Sequence, residues 1–331
     1  MTMMNWIREN NPLKKQMLLS ILILLCVLLS MTARGFFSVD NFLNILRNSS
    51  MKGIIAFGMT MVMIAGEIDL TVGSAVAFSG CISAWVVKTM VAMGVSPIAA
   101  VICGIILALV AGFALGSFSA VIRNKYEVPT FIITLALMTS LFGLANLITR
   151  GFPITSYPPW FNFLGGGYVL GIPFPAIIFL VVFFVVNFIM SSTTFGRSVY
   201  AIGGNMEAAR LSGIKVARIK VIIMGLTSML MALSGIMVAS QIMSGTATTA
   251  KGWEMDVISA VVIGGTSMSG GTGSIKGTFI GMIFLGVLVN GMTLLNINEY
   301  WQYVVRGGLI LGAVLLNVVH EKKQMGSIAL V

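Results

Sequence analysis

Long runs of residues without a charged side chain make up most of the chain, and short charged segments separate them. A transmembrane helix needs about 20 apolar residues, with a range of about 17–25, so a longer run holds one helix and an uncharged loop. The pattern predicts ten membrane spans. They fall in the runs Met17 to Ala33, Gly53 to Gly66, Leu70 to Val87, Thr89 to Ile122, Val128 to Thr149, Gly151 to Gly196, Val221 to Ala250, Val257 to Ile275, Gly277 to Asn298 and Gly307 to Val319.

Two of these runs do not fit a simple spanning helix. The run from Gly53 to Gly66 would form a helix of only about 21 Å at 1.5 Å per residue, which is shorter than a hydrocarbon core of about 30 Å. We therefore expect this helix to end inside the membrane. The run from Val257 to Ile275 is apolar only at its start and then becomes rich in Gly, Ser and Thr from Gly264 to Ser274.

The two breaks have similar sequences, because each follows a short apolar run and leads through a Gly-Ser pair into a new helix. Interrupted helices in two halves of a membrane protein point to a transport pathway, since non-helical backbone at membrane depth must be satisfied by protein or by a water-filled cavity. The alternative is two tight turns at the membrane surface. The residues predicted to line the pathway are Glu67, Asp69, Gly73, Ser74, Gly264, Gly265, Thr266 and Ser267.

The composition places the chain in a membrane. It is 57% hydrophobic and 9% charged, with a mean hydropathy of +1.01, whereas a soluble domain is about 45–50% apolar and about 25% charged. The net charge of +10 does not indicate nucleic-acid binding, because the Lys and Arg residues form short clusters between apolar runs. Cys26, Cys81 and Cys103 have spacings that fit neither a metal site nor a disulfide framework, and no cofactor is expected.

The distribution of basic residues predicts the orientation. With the N-terminus in the cytoplasm, thirteen of the twenty Lys and Arg residues lie inside and seven lie outside. Short cytoplasmic loops carry the excess of Lys and Arg. Both termini are therefore predicted to be cytoplasmic.

Glu67 and Asp69 interrupt the apolar pattern. A carboxylate facing lipid at mid-depth costs about 2.5–3.5 kcal/mol, so these two side chains cannot face lipid there. They could line a cavity, cap the helix that starts near Thr71, or lie at the cytoplasmic surface. The pattern favours capping for Asp69. A proton or cation relay is an alternative for Glu67, although the sequence offers no partner for it.

The charged segment from Arg197 to Arg218 has helix signals of its own. Asn205 is a good N-cap, Glu207 and Arg210 suit the helix dipole, and Gly213 is placed to end the helix. These residues predict a two-turn helix between two spans. Such a helix is too short to persist alone in water, so it must dock either on the protein's own spans or on a cytoplasmic partner.

The Gly-rich stretch after Ile263 is not a phosphate-binding loop. A P-loop requires Gly-Lys followed by Ser or Thr, whereas Lys276 lies between Ile275 and Gly277. A transport role driven by ATP would therefore need a separate ATPase subunit.

Three separated motifs, in the same order, resemble the ribose-type simple-sugar permeases of bacterial ABC importers, and the similarity covers nearly the whole chain. One position departs from the family pattern, because Glu67 stands where many members carry glycine before Ile-Asp-Leu. The motifs are Gly58-Met59-Thr60 with Glu67-Ile68-Asp69-Leu70-Thr71-Val72-Gly73-Ser74; Gly196-Arg197 with Tyr200-Ala201-Ile202-Gly203-Gly204-Asn205 and Ala208-Ala209-Arg210-Leu211-Ser212-Gly213-Ile214; and Val262-Ile263-Gly264-Gly265-Thr266-Ser267 with Gly270-Gly271.

The resemblance implies the partners and the location of the chain. It implies a dimer with a second permease copy or a paralogue, two cytoplasmic ABC ATPase subunits, and a periplasmic or lipid-anchored sugar-binding protein, in the bacterial cytoplasmic (inner) membrane. It also implies that the segment from about Asn205 to Gly213 is a coupling helix seated in a groove of the ATPase. The coupling residues expected on this basis are Gly204, Asn205, Glu207, Ala208, Ala209, Arg210 and Gly213.

The sequence thus predicts an all-α polytopic membrane protein, with residues 1–331 forming one permease domain of about ten spans, two interrupted helices and cytoplasmic termini. The expected role is transport of a ribose-like simple sugar, with ATP hydrolysis by a partner chain and no enzymatic activity of its own. Members of the resembled family carry several kinds of solute, so the sequence does not specify the sugar. The alternative is a stand-alone ion-coupled secondary transporter of a small polar solute that works through Glu67 and Asp69.

Overall fold

The computed structural model describes residues 12–309, 311, 312 and 315, and this part of the chain is mostly helical. Both predicted termini, and most of the run from Gly307 to Val319, lie outside the described residues. In chain order the elements are α1 (Pro12–Thr32), α2 (Val39–Ile64), α3 (Val72–Ala92), α4 (Pro97–Tyr126), α5 (Thr130–Thr149), a 3-10 turn (Pro159–Asn162), α6 (Phe163–Gly166), β1 (Tyr168–Val169), β2 (Ile172–Pro173), α7 (Phe174–Ser192), α8 (Thr194–Gly204), α9 (Met206–Leu211), α10 (Val216–Ile242), α11 (Trp253–Ile263), α12 (Ile275–Leu294) and α13 (299–309).

The chain is a multi-pass membrane protein by the length and apolarity of its helices. Within the described residues, six helices are long and apolar enough to cross a membrane: α3, α4, α5, α7, α10 and α12. The count of ten spans and the cytoplasmic placement of both termini stay predictions.

The expectation of a short helix over Gly53 to Gly66 was wrong. This run is the second half of α2, which has 26 residues and is therefore about 39 Å long. The helix begins after Ser38, whose side chain accepts a hydrogen bond from the Asn41 N–H, and it continues through Arg47 and Lys52. Charge-free runs underestimated its length because both cations lie within the helix.

Helix α10 lies at the centre of the fold, where it packs against α2, α3 and α4. Its side chain Met231 is fully buried, as are Phe57 on α2 and Phe179 on α7. The rings of Phe57 and Phe179 stack with their centroids 5.1 Å apart. This stack joins α2 to α7.

The non-helical segment between α2 and α3 runs along α10. Glu67, near the start of this segment, contacts Lys220 in the second turn of α10. Oγ1 of Thr71, at its end, lies 3.8 Å from Sδ of Met231, close to the middle of α10. Because α10 has 27 residues, about 40 Å of helix, α3 begins near the middle of a span.

Helix α11 also begins after a non-helical segment, the residues 243–252 that follow α10. Gly245 in this segment exchanges backbone hydrogen bonds with Ile154. The segment then leads to Ala250, whose carbonyl oxygen would lie 2.5 Å from a Cβ atom built on Gly73. The N-terminal ends of α3 and α11 therefore meet inside the protein.

Candidate functional site

The end of α2, the end of α8 and the loop 264–274 meet in one place, which we call the inner junction. The Gly271 N–H donates to the Ile64 carbonyl over 2.9 Å, and the Tyr200 hydroxyl donates to the Gly273 carbonyl over 3.0 Å. Burial raises the pKa of Tyr200 further above neutral, so its hydroxyl is protonated and can donate. The inner junction thus joins α8 to both predicted breaks.

At Gly203 the end of α8 lies very close to the backbone of α2 and of the loop 264–274. A Cβ atom at this position would lie 1.7 Å from the Ile64 carbonyl oxygen and 2.5 Å from the Gly271 nitrogen. Both neighbours are backbone atoms, so they could not move aside as a side chain can. The adjacent Gly204 has no heavy atom within 4 Å of the same added atom. Only the first glycine of the pair is therefore required by packing.

The two-turn helix predicted after Asn205 is present as α9. The Asn205 side chain accepts the Ala208 N–H over 2.9 Å, and Gly213 has a φ of +82°, the left-handed conformation that glycine favours after a helix. The predicted N-cap at Asn205 and the predicted helix end at Gly213 are thus confirmed.

One face of α9 docks on the protein's own helices and the other is free of them. Ala209 is buried in a small cluster with Ile202 and Val216. Glu207 and Arg210 form an exposed ion pair at 3.8 Å, of a kind that contributes about 0–1 kcal/mol. This exposed pair and the attachment to α8 leave α9 suited to contact a second protein.

Glu67 lies between two cations that the sequence did not identify as its partners. Its Oε1 pairs with Lys220 Nζ and, at 2.9 Å, with Arg123 Nε, and its Oε2 accepts from the Thr130 hydroxyl. The Lys220 side chain is only 4% exposed. The carboxylate therefore fastens the segment before α3 to α4, α5 and α10.

Asp69 binds the residue just before α3 rather than an N–H group of the first helical turn. Its Oδ1 accepts the Thr71 N–H over 2.9 Å and the Thr71 hydroxyl over 2.6 Å. Thr71 is the N-cap residue, so Asp69 lies two positions before the cap. The prediction that Asp69 itself caps the helix is corrected accordingly. Asp69 also lines a small cavity with Ser79 and Ser228, with room for about one water molecule.

Gly73 and Ser74 form the first turn of α3, where α11 approaches it. Oε2 of Glu254 would lie 2.9 Å from a Cβ atom on Gly73, and Ser74 Oγ donates to the Thr71 carbonyl over 2.9 Å. Glu254 is buried. The meeting point of α3 and α11 thus contains a carboxylate that the sequence analysis did not single out.

The other four predicted pathway residues lie at the inner junction rather than at this meeting point. Gly264 packs against Gly277 of α12, and Gly265 has a φ of +90°. The Thr266 N–H donates to the Val261 carbonyl over 3.2 Å, and the Ser267 N–H donates to the Thr272 carbonyl over 3.0 Å. The loop is non-helical as predicted, but the segment that meets the start of α3 is 243–252.

Comparisons with known proteins show the family of this chain. The model of the family described as "Branched-chain amino acid transport system / permease component" matches residues 41–314. The ribose import permease protein RbsC of Haemophilus influenzae is 44% identical over 298 residues, which are 89% of this chain and 90% of that protein. RbsC of Bacillus subtilis is 43% identical with the same coverage. The L-arabinose ABC transporter permease protein AraH of Azospirillum brasilense is 36% identical over 90% of this chain and 85% of that protein. No solved structure gives a significant match.

Proposed function

This chain belongs to the family of branched-chain amino acid transport system permease components and is a permease subunit of a sugar ABC importer, and from that premise we propose that it carries ribose through a dimer driven by ATPases docked on α9. It is a transport subunit rather than an enzyme. Membership of an ABC importer family implies ATPase and binding-protein partners.

The observation that carries the proposal is the close contact between Gly203 and the two breaks. An ATPase subunit that moves α9 also moves the end of α8, because only Asn205 separates the two helices. Gly203 then presses on the Ile64 carbonyl and on Gly271. Movement at the cytoplasmic surface can therefore reach α2 and the loop 264–274 without any intervening flexible side chain.

The proposed ATPase contact is the exposed side of α9 and its ends. We propose Gly204, Asn205, Glu207, Ala208, Ala209, Arg210 and Gly213 as the coupling residues, with Ala209 supporting the helix from its buried face. The proposed orientation places this surface, and both termini, in the cytoplasm of a bacterium, with the chain in the cytoplasmic (inner) membrane. A periplasmic or lipid-anchored binding protein would deliver the sugar to the opposite side.

The proposed pathway follows the segment from Glu67 to Ser74. The start of α3 lies near the middle of a span, where non-helical backbone is stable only if protein or water satisfies it. We propose that Asp69, Gly73 and Ser74 border the route, and that Glu67 holds the segment in place. Gly264, Gly265, Thr266 and Ser267 act at the inner junction as the hinge that α8 moves.

Reconstitution tests the proposed function. Proteoliposomes that contain this chain, its ATPase and its binding protein should take up labelled ribose only when ATP is supplied. The chain alone, with an imposed proton or sodium gradient, should take up none, because Glu67 is already paired with two cations of the protein. Gradient-driven uptake by the chain alone would establish the secondary transporter instead, and failure of the complete system to move ribose would reject ribose as its solute.

A further inference from the structure

Five side chains from three separate segments form a second charged cluster, which we call the aromatic-ion cluster. Asp256 Oδ2 lies 2.5 Å from Lys52 Nζ, and its Oδ1 lies 2.9 Å from Arg306 Nη1. Each cation also lies against a ring, with Lys52 Nζ 5.2 Å from the centroid of Trp253 and Arg306 Cζ 5.5 Å from that of Tyr303. The cluster joins α2, α11 and α13.

The aromatic-ion cluster is open on one side. The Asp256 side chain is 7% exposed, but those of Lys52 and Arg306 are 21% and 16% exposed, and Tyr303 is half exposed. Charged side chains within a membrane protein face its interior or a water-filled space rather than lipid. The open side therefore faces water or protein rather than lipid.

The position of the cluster relates it to the route. Asp256 and Trp253 lie in the first turn of α11, and Glu254 between them lies beside Gly73 of α3. The cluster therefore lies on the same turn of α11 as this meeting point, but on another side of the helix, because residues two positions apart are about 200° apart around a helix axis. A solute that follows the proposed pathway passes this turn of α11.

Resting on the proposed import of sugar, we propose that the aromatic-ion cluster is a contact site for polyhydroxylated solutes within the permease. Small-molecule sites combine aromatic surface with a few fixed polar groups, and this cluster has both. A ring can lie against the C–H face of a sugar. Lys52 and Arg306 can donate to its hydroxyl groups, while Asp256 can accept from them, and hydrogen bonds to charged groups are the stronger ones.

The test keeps the binding protein and the ATPase unchanged, so that any change in sugar preference comes from this chain. Reconstituted importers with Tyr303→Ala or Trp253→Ala are compared with wild type for uptake of labelled ribose, arabinose and xylose. Tyr303→Phe keeps the ring, and Tyr300→Ala removes a neighbouring exposed ring of the same helix. We expect both alanine variants at the cluster to lower ribose uptake by about tenfold and to change the ratio of the three rates. Ribose uptake by Tyr303→Phe and by Tyr300→Ala should match that of the wild-type importer.

The outcomes separate this inference from the proposed function. If the wild-type importer moves ribose but the alanine variants leave the ratio of the three rates unchanged, the cluster is only a structural ion-pair network. An equal loss of all three sugars in these variants leads to the same conclusion. If the wild-type importer moves none of the three sugars, the proposed function fails, and the inference fails with it.

Discussion

Replacing Gly203 with Ala is expected to reduce ATP-driven uptake by tenfold or more while the ATPase still binds. The added methyl group would lie 1.7 Å from the Ile64 carbonyl oxygen, so α8 must move away from α2. Overpacking of this kind costs about 1–3 kcal/mol, and each 1.4 kcal/mol corresponds to about a factor of ten in an equilibrium. The exposed surface of α9 is unchanged, so co-purification of the ATPase should persist. The measurements are labelled ribose uptake and the amount of ATPase retained.

Gly204→Ala is the matched control for this variant. It adds the same methyl group one residue later, where no heavy atom lies within 4 Å, so uptake should stay near the wild-type value. Thermal unfolding of both variants shows whether Gly203→Ala still folds. Equal uptake by the two alanine variants would contradict the assigned role of the inner junction.

Replacing Glu67 with Gln is expected to destabilise the protein by about 3–5 kcal/mol, the cost of breaking a buried ion pair from one side. Lys220, whose side chain is 4% exposed, would then be buried without a carboxylate partner, and Arg123 would lose the same partner. The segment before α3 would lose its attachment to α10. Thermal unfolding of the purified chain in detergent measures the loss.

Two further variants show whether the lost stability comes from leaving Lys220 without a carboxylate partner. Glu67→Gln combined with Lys220→Met removes the unpaired ammonium group and should recover part of the loss. Glu207→Gln breaks an exposed pair with Arg210 and should change the stability by less than about 1 kcal/mol. Similar melting temperatures for Glu67→Gln and Glu207→Gln would show that the buried pair contributes little.

Local sequence signals are sufficient to predict those helices whose ends are set by residues next to them in the chain. The cap at Asn205 and the left-handed Gly213 define α9 within a few residues, and both are present. The membrane class followed from apolar composition in the same direct way. Similarity to sugar permeases, first apparent from short motifs, is confirmed over most of the chain.

The site depended on contacts between residues distant in sequence, which local patterns do not contain. Glu67 lies 153 residues from Lys220, and Lys220 is the last charged residue before a long apolar run, so it was interpreted as an orientation signal. The similar sequences at Ile64 and Ile263 suggested equivalent breaks. The structure instead places the segment 243–252 against α3. Most of this segment lies in the charge-free run Val221 to Ala250, so the charge pattern gave no sign of a break there.

The proposed ATPase contact on α9 is tested most directly by cross-linking in the assembled complex. Single cysteines are introduced at Leu211, which is 82% exposed at the end of α9, and at Leu170, which is 97% exposed between β1 and β2, in a chain whose Cys26, Cys81 and Cys103 have been replaced. A short thiol cross-linker is then applied to the assembled complex. We expect the cysteine at 211 to link to the ATPase subunit and the cysteine at 170 to form no such link. An ATPase link from 170, or none from 211 in a complex that imports sugar, would contradict the proposed contact.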